Sequence, residues 1–267
     1  KKSLEWTTTF NFTRNRNTII SLYPGVTSIG LDLAFGADVQ SIAQVGKDFG
    51  TITTTYAYAR DPKTGTKLLQ QDGTYWRSGA YGQGAVDVGS AMEKYLISNT
   101  NEVRYKNFSL FVQVDAKVGG KIASTTHQYG AQYGNYESTL FGRDTETGGV
   151  TYTDASGATR TDGIIPEGVF GANTLINGPD RSGKTYAEAV TAGVKKPMSA
   201  LAYYDGIASW GTGIREYSIF DNTWVALREV SIGYEFSKAL TSKLHFQRLR
   251  LSVVGRNLTY LYTTTKD

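Results

Sequence analysis

Eight residues of the chain, Gly178-Pro-Asp-Arg-Ser-Gly183-Lys184-Thr185, match a phosphate-binding loop letter for letter. In such a loop backbone N–H groups cradle the phosphates, the lysine reaches the β/γ oxygens and the threonine holds magnesium. The chemistry needs a buried strand just ahead and an apolar run ending in Asp further on. Gly171-Ala-Asn-Thr-Leu-Ile-Asn177 is not such a strand, and Leu201-Ala-Tyr-Tyr-Asp205 is too near and too polar. The stretch reads better as a glycine-rich loop entering a short helix, with Thr185-Tyr-Ala-Glu188 as its capping box.

Other reactive groups are sparse. The chain has no cysteine, so disulfides, thiolate metal sites and thiol nucleophiles are excluded. A Ser/His pair would have to use His127 or His245, the only two histidines. Asp144, Glu146, Asp154, Asp162 and Glu167 are scattered, and nothing fixes two of them at the separation a glycosidase needs. Their oxygens suit loop-bound calcium, but no calcium-loop motif supports it, so the expectation is no cofactor, no metal site and no enzyme. The net charge of +4 is spread without a basic block, which argues against nucleic acid as a partner. Tyrosine is abundant (18 of 267 residues), and tyrosines cluster where the chain is otherwise irregular.

The elements that position these residues alternate with period two. Leu4, Trp6, Phe10 and Phe12 oppose Glu5, Thr7, Thr9 and Asn11. Phe108, Leu110, Val112 and Val114 oppose Ser109, Gln113, Asp115 and Lys117. Leu249, Leu251 and Val253 oppose Arg248, Arg250, Ser252 and Arg256. Residues 28–38 alternate as clearly; 50–60, 94–104 and 223–236 do so more weakly. The last changes register at Arg228-Glu229, as a β-bulge would make it do.

Such strands fit a soluble sandwich or a transmembrane β-barrel, and no stretch is apolar enough for a membrane-crossing helix. The connections favour the barrel. About two residues, Tyr105-Lys106, join 94–104 to 107–118, and about nine join 223–236 to 246–258. About a hundred lie between 118 and 223 without a convincing strand pattern, and about thirty between 60 and 94. Short turns on one side and long loops on the other characterise outer-membrane barrels. The expectation is an all-β, antiparallel segment of a large transmembrane barrel with long extracellular loops. Asp115, Lys117, Arg248 and Arg250 then face the lumen. The aromatic residues of the long insertion, Tyr129, Tyr133, Tyr136, Tyr203, Tyr204 and Trp210, are the pool for contacts with a ligand or lid.

Five stretches, in order, resemble one family. Asn222-Thr-Trp-Val-Ala-Leu-Arg-Glu-Val-Ser-Ile-Gly-Tyr-Glu-Phe236 resembles a barrel segment of SusC/RagA-type TonB-dependent transporters. Leu249-Arg-Leu-Ser-Val-Val-Gly-Arg-Asn-Leu258 is similar to the family's "NL" strand, and Tyr105-Lys106-Asn107-Phe108-Ser109-Leu110 to its "YKnFsL" stretch, with Asp115 and Gly119-Gly120 following. Upstream, Trp6-Thr-Thr-Thr-Phe-Asn-Phe12 and Val45-Gly46-Lys47-Asp48-Phe49-Gly50 resemble two further family segments.

The resemblance implies that residues 1–267 are one partial barrel domain, with the plug, the first strands and the last strand elsewhere. It implies energised uptake of a large nutrient, a glycan or peptide, across a bacterial outer membrane. The partners it implies are a SusD-like surface lipoprotein, a TonB complex acting through an N-terminal region, and membrane lipid or lipopolysaccharide. The competing readings are a soluble β-sandwich carbohydrate-binding module and a passive porin-like barrel.

Overall fold

The computed structural model describes residues 4–265. The chain divides into two compact units. One holds the segments up to Thr18, Ala91–Ile122 and the part from Asp221 onward; the other holds Ile19–Ser90 and Ala123–Phe220.

The first unit is a five-stranded antiparallel sheet of β1 (Glu5–Thr13), β2 (Tyr95–Tyr105), β3 (Phe108–Val118), β4 (Trp224–Glu235) and β5 (Arg250–Thr263), side by side in that order. The register collects the apolar positions on one face. Trp6 stands opposite Val103, Val103 opposite Leu110, Leu110 opposite Ile232 and Ile232 opposite Val253. In β4 the pairing skips one residue between Leu227 and Glu229, against both neighbours. That bulge keeps Val225 and Leu227 on the same face as Val230, Ile232 and Tyr234, although their parity differs.

This apolar face has no packing partner within its unit. Trp6 is 67% exposed and Val253 74%, and Phe10, Phe12, Phe108, Ile232 and Leu251 are also exposed. A soluble sandwich would cover such a face, so that reading does not describe this sheet. The opposite face carries the charges, paired across strands. Arg228 lies 3.3 Å from Asp115, Arg256 3.0 Å from Glu229 and Arg248 2.6 Å from Glu235.

Three expectations change here. Residues 28–38 and 50–60 do not join the five-stranded sheet. Ser28–Ala34, Val39–Gln44, Thr51–Thr54 and Val86–Ser90 form a separate four-stranded antiparallel sheet in the second unit. Alternation marks a half-exposed strand but not the sheet it enters. Second, the tight turn lies at Lys106-Asn107, one residue later than expected, with Lys106 at φ 53°. Third, β5 starts at Arg250, so the connection from β4 spans residues 236–249 and contains a helix, Lys238–Lys243.

The long insertion is not structureless either. In the second unit Tyr58, Leu69 and Tyr75 from the first excursion pack with Phe170, Ile176, Tyr186, Ile207 and Ile214 from the second. Residues Leu68–Leu69 and Val169–Phe170 pair as a short parallel ladder. Three helices complete this unit: α1 (Thr125–Gln132), α2 (Tyr186–Thr191) and α3 (Ala200–Ala208); the helix in the β4–β5 connection is α4.

Connectivity fixes where the excursions depart. Thr13, the last residue of β1, pairs with Leu96 at the start of β2. Val118, the last of β3, pairs with Tyr95, and Trp224 at the start of β4 pairs with Lys117. Both long excursions therefore leave and re-enter at one end of the sheet. The two-residue turn and the 236–249 connection lie at the other.

Candidate functional site

The second unit holds all six residues of the aromatic pool, and α1 begins its ordering. Ser124 caps α1 by accepting the His127 N–H at 2.9 Å. One turn further on, Tyr129 and Tyr133 stand four residues apart and so on one side of the helix. Tyr129 is 44% exposed and Tyr133 72%.

The ring of Tyr129 lies on the indole of Trp210, with centroids 4.7 Å apart and planes within 10°. The Trp210 backbone N–H donates to Gln132 Oε1 at 3.2 Å, and Gln132 Nε2 donates to Asp205 Oδ1 on α3 at 3.1 Å. Beneath Trp210 lies the guanidinium of Arg215, 5.1 Å from that ring and 5.2 Å from the rings of Phe35 and Tyr56. Arg77 stands 4.6 Å from Tyr56. Two stacked rings, the Arg215 guanidinium, the Phe35 and Tyr56 rings and Arg77 thus follow one another in a column with Tyr129 at its exposed end.

Arg215 locks the column. It is 1% exposed. Its Nε and Nη2 both donate to Asp38 Oδ2, at 3.0 and 2.9 Å, and Nη1 donates to the Ser209 carbonyl at 3.0 Å. Nη2 also donates to the Trp210 carbonyl. A buried guanidinium needs such partners, and here they hold the Trp210 segment against the unit. The result is an aromatic surface of Tyr129, Tyr133 and the Trp210 edge, bordered by an amide and a carboxylate. Surfaces of this kind take flat apolar faces, of sugar rings or of side chains, at low entropic cost.

The other three aromatics serve the core. Tyr136 packs on the buried His127, with centroids 4.8 Å apart. Tyr204 is buried and its hydroxyl lies 3.0 Å from the carbonyls of Ser138 and Phe141; burial raises its phenol to about 12. Tyr203 is half-buried beside Tyr75 and Tyr204, and desolvation followed by the Tyr75 phenol raises its pKa. Phe35, Asp38, Gln132 and Arg215 were not anticipated. The only sequence trace of Arg215 is a lone arginine in a glycine-rich stretch.

The remaining candidates resolve into structure. Ser218 donates to Gln128 Oε1 at 2.5 Å, while Gln128 Nε2 faces the Ile207 carbonyl at 3.4 Å. His127 Nδ1 lies 2.9 Å from Ser218 Oγ. All three residues are buried, so the serine presents no accessible nucleophile and the group reads as a core hydrogen-bond cluster. In the phosphate-loop pattern Asp180 accepts the Ser182 N–H and hydroxyl at 2.8 and 2.5 Å. A carboxylate thus lies where phosphate would need N–H groups. Thr185 and Glu188 form the expected capping box.

Asp144 and Asp154 each close a turn. The Thr147 N–H reaches Asp144, the Ser156 hydroxyl and then the Ala158 and Ser156 N–H groups reach Asp154, and these bonds hold both carboxyls below their ordinary pKa. On the polar face of the sheet Asp115 accepts from Ser98 Oγ at 2.7 Å and Gln113 Nε2 at 3.0 Å. Arg250 reaches Ser109 Oγ at 2.8 Å, and Lys117 stands between Leu96 and Trp224. Apart from Gln113–Asp115, which lies within β3, and Arg250–Ser109, which spans β4, these are ordinary cross-strand neighbours.

Comparison with known proteins places this geometry. No protein-family model matches the chain. It is 23% identical over 269 residues to TonB-dependent receptor P3 of Formosa agariphila, an alignment covering 95% of the chain and 22% of that protein. Among solved structures it superposes on the RagAB peptide transporter with a TM-score of 0.53 at 12% identity, over 99% of this chain and 24% of that one. The RagAB peptide importer in its open-open state gives 0.51 at 14% identity, over 98% and 24%. The resemblance read from the sequence holds: the chain has the antiparallel fold of part of a RagA-type chain. It spans about a quarter of the length of the relatives it matches.

Proposed function

We propose that this chain is a sector of an outer-membrane transporter barrel that takes up a large nutrient, glycan or peptide, with energy supplied through a TonB complex. The observation that carries the reading is the five-stranded sheet. One face is apolar and exposed, the other is charged and cross-paired, and both long excursions leave at one end.

A strand can cross lipid only if its backbone is paired and its outward side chains are apolar. β3 and β4 meet both conditions along their lengths, with neighbours on each side, while β2 is paired on both sides but sets Asn99 and Asn101 among the apolar residues of that face, opposite Val114 and Val112. The paired charges then face the water-filled interior, where cross-strand partners spare them desolvation.

The excursions emerge outside the cell, because turns as short as Lys106-Asn107 lie on the periplasmic side. They carry the rigid surface of Tyr129, Tyr133 and Trp210, our candidates for contact with substrate or with a SusD-like lipoprotein lid. The RagAB structures are of a peptide transporter and peptide importer by name, which supports a peptide as the nutrient through likeness of fold.

The test is uptake of fluorescent oligopeptides and oligosaccharides by cells producing the natural full-length protein, with and without a protonophore. The proposal expects accumulation that collapses when the membrane is de-energised. Accumulation indifferent to the protonophore would mean a passive pore.

A further inference from the structure

On the charged face of the first unit one arginine reaches across a neighbouring strand. Arg250, at the start of β5, donates through Nη2 to Ser109 Oγ on β3 at 2.8 Å. β4 runs between those two strands, so the side chain must cross it. It crosses at Gly233. A Cβ built on Gly233 would stand 2.8 Å from Arg250 Nη2, 2.9 Å from its Nε and 2.7 Å from Ser109 Oγ. The φ of Gly233 is not positive, so its backbone does not call for glycine. Glycine inside a strand often marks a close approach from outside, and here the missing side chain lets the guanidinium pass. A guanidinium has five N–H donors, and Ser109 takes one of them.

Arg250 lines a cavity of about 880 Å³ at the end of the sheet that bears the tight turn. Ligand sites run to roughly 300–1,000 Å³. Its cationic lining is Arg104, Lys106, Lys238, Arg248 and Arg250, from two strands, the turn and the β4–β5 connection. Only two carboxylates, Glu5 and Glu235, stand against them. Arg248 is neutralised by Glu235 at 2.6 Å, and Arg104 by Glu102 at 2.5 Å. Among the described residues, Arg250, Lys106 and Lys238 have no carboxylate within ion-pair distance, and Glu5 has no cation. Three unpaired cations thus share one concave site with a single unpaired carboxylate. Concave walls of one charge sign focus the potential and concentrate ions of the other sign.

We infer that this cavity binds the carboxylates of an acidic peptide, with Arg250 as the anchor and Lys106 and Lys238 as further cations of the same site. Arginine suits the task because its fork of N–H donors matches a carboxylate. The occupant follows from the two signs of charge. A neutral glycan gives the three cations nothing to meet. A uronic-acid glycan is negative along its length and sets charge against Glu5. A peptide presents carboxylates to Arg250 and N–H groups to Glu5, so it satisfies both. The inference rests on the transporter reading and narrows its nutrient to an acidic peptide. On that reading the charged face lines the lumen, and the cavity lies at the end opposite the excursions.

The experiment is calorimetric titration of the natural full-length protein in detergent. The probes are an amidated hexapeptide of two glutamates and four glycines, its counterpart with two glutamines, and tetragalacturonate. The glutamate peptide should bind about tenfold or more tighter than the glutamine peptide, as one hydrogen bond to a charged group requires, and tighter than tetragalacturonate. Arg250→Gln should erase the preference for glutamate. Gly233→Ala, whose new methyl displaces the guanidinium, should weaken that preference and change nothing further when combined with Arg250→Gln. A glycine with a merely structural role would act alike in both backgrounds. Equal binding of the two peptides, or a preference that survives Arg250→Gln, would overturn the site; energised uptake of oligopeptides would in that case leave the transporter reading standing. Tetragalacturonate bound as tightly as the glutamate peptide would overturn the peptide as occupant. A preference that depends on Arg250, without energised uptake of any peptide, would overturn the transporter reading and keep the site.

Discussion

Val112→Arg separates a lipid-facing sheet from a packed one. Val112 is the fifth residue of β3, counted from Phe108 next to the tight turn. At ~3.4 Å per residue and a tilt of ~40°, it stands roughly 13 Å from that turn. An outward apolar band ~25 Å tall puts it near the midplane, where arginine costs about 2–4 kcal/mol. Leu251 is exposed on the same face, but the register puts it level with Tyr234 and Phe108, close to the turn. Arginine there should cost only about 0–1 kcal/mol, since it reaches the interface. Gln113 points the other way, towards Asp115, so Gln113→Arg gains a carboxylate and should be tolerated. Guanidinium unfolding of the natural full-length protein from lipid vesicles would measure all three. The order predicted is a large loss at 112, a small one at 251 and almost none at 113. Equal losses at 112 and 113 would mean that both faces are packed, and no loss at 112 would mean that its face does not meet lipid.

Three further perturbations address the second unit. Arg215→Met removes one side of a buried ion pair and should destabilise the unit by about 3 kcal/mol, seen as faster proteolysis within 14–94 and 119–222 and a red shift of Trp210 emission; unchanged proteolysis would count against the column. Thr185→Ala should cost about 1 kcal/mol, read as faster amide exchange across Tyr186–Thr191. Burial raises the phenols of Tyr75 and Tyr186 to about 12. A folded pKa above the unfolded value near 10 gives stability that is complete below pH 10 and lost as pH rises towards 12. The unit's melting temperature should therefore be level up to pH 9.5 and fall steeply above pH 10, with tyrosinate absorbance appearing only on unfolding.

Much of the sheet was legible because its determinants are local. Alternation located all five strands to within a few residues at most ends. The parity change at Arg228-Glu229 marked a bulge, and the Thr185/Glu188 spacing marked a helix start. What could not be read depends on distant partners. Ile29, Leu31 and Leu33 alternate like wall residues, yet their strand pairs with Val39–Gln44 in another sheet. The core of the second unit joins Tyr58 to Ile214, and the Arg215–Asp38 pair spans 177 positions, so no window of sequence contains either. Of the six aromatics in the pool, residue type could not separate Tyr129, Tyr133 and Trp210 at the surface from Tyr136, Tyr203 and Tyr204, which fill the interior. Only the helix faces and the neighbouring carbonyls make that distinction.

The central claim is that the sheet crosses the outer membrane with both excursions outside, and cysteine accessibility tests it most directly. Ala155 is exposed at the tip of the hairpin that Asp154 closes, and Ser242 is exposed at the opposite end of the chain's path through the sheet. Each is changed singly to cysteine in the natural full-length protein, and intact cells are treated with a membrane-impermeant maleimide. The account predicts labelling at 155 in intact cells and labelling at 242 only after the outer membrane is permeabilised. Labelling at 242 but not at 155 in intact cells would invert the topology, and equal labelling of both without permeabilisation would contradict a membrane-crossing sheet.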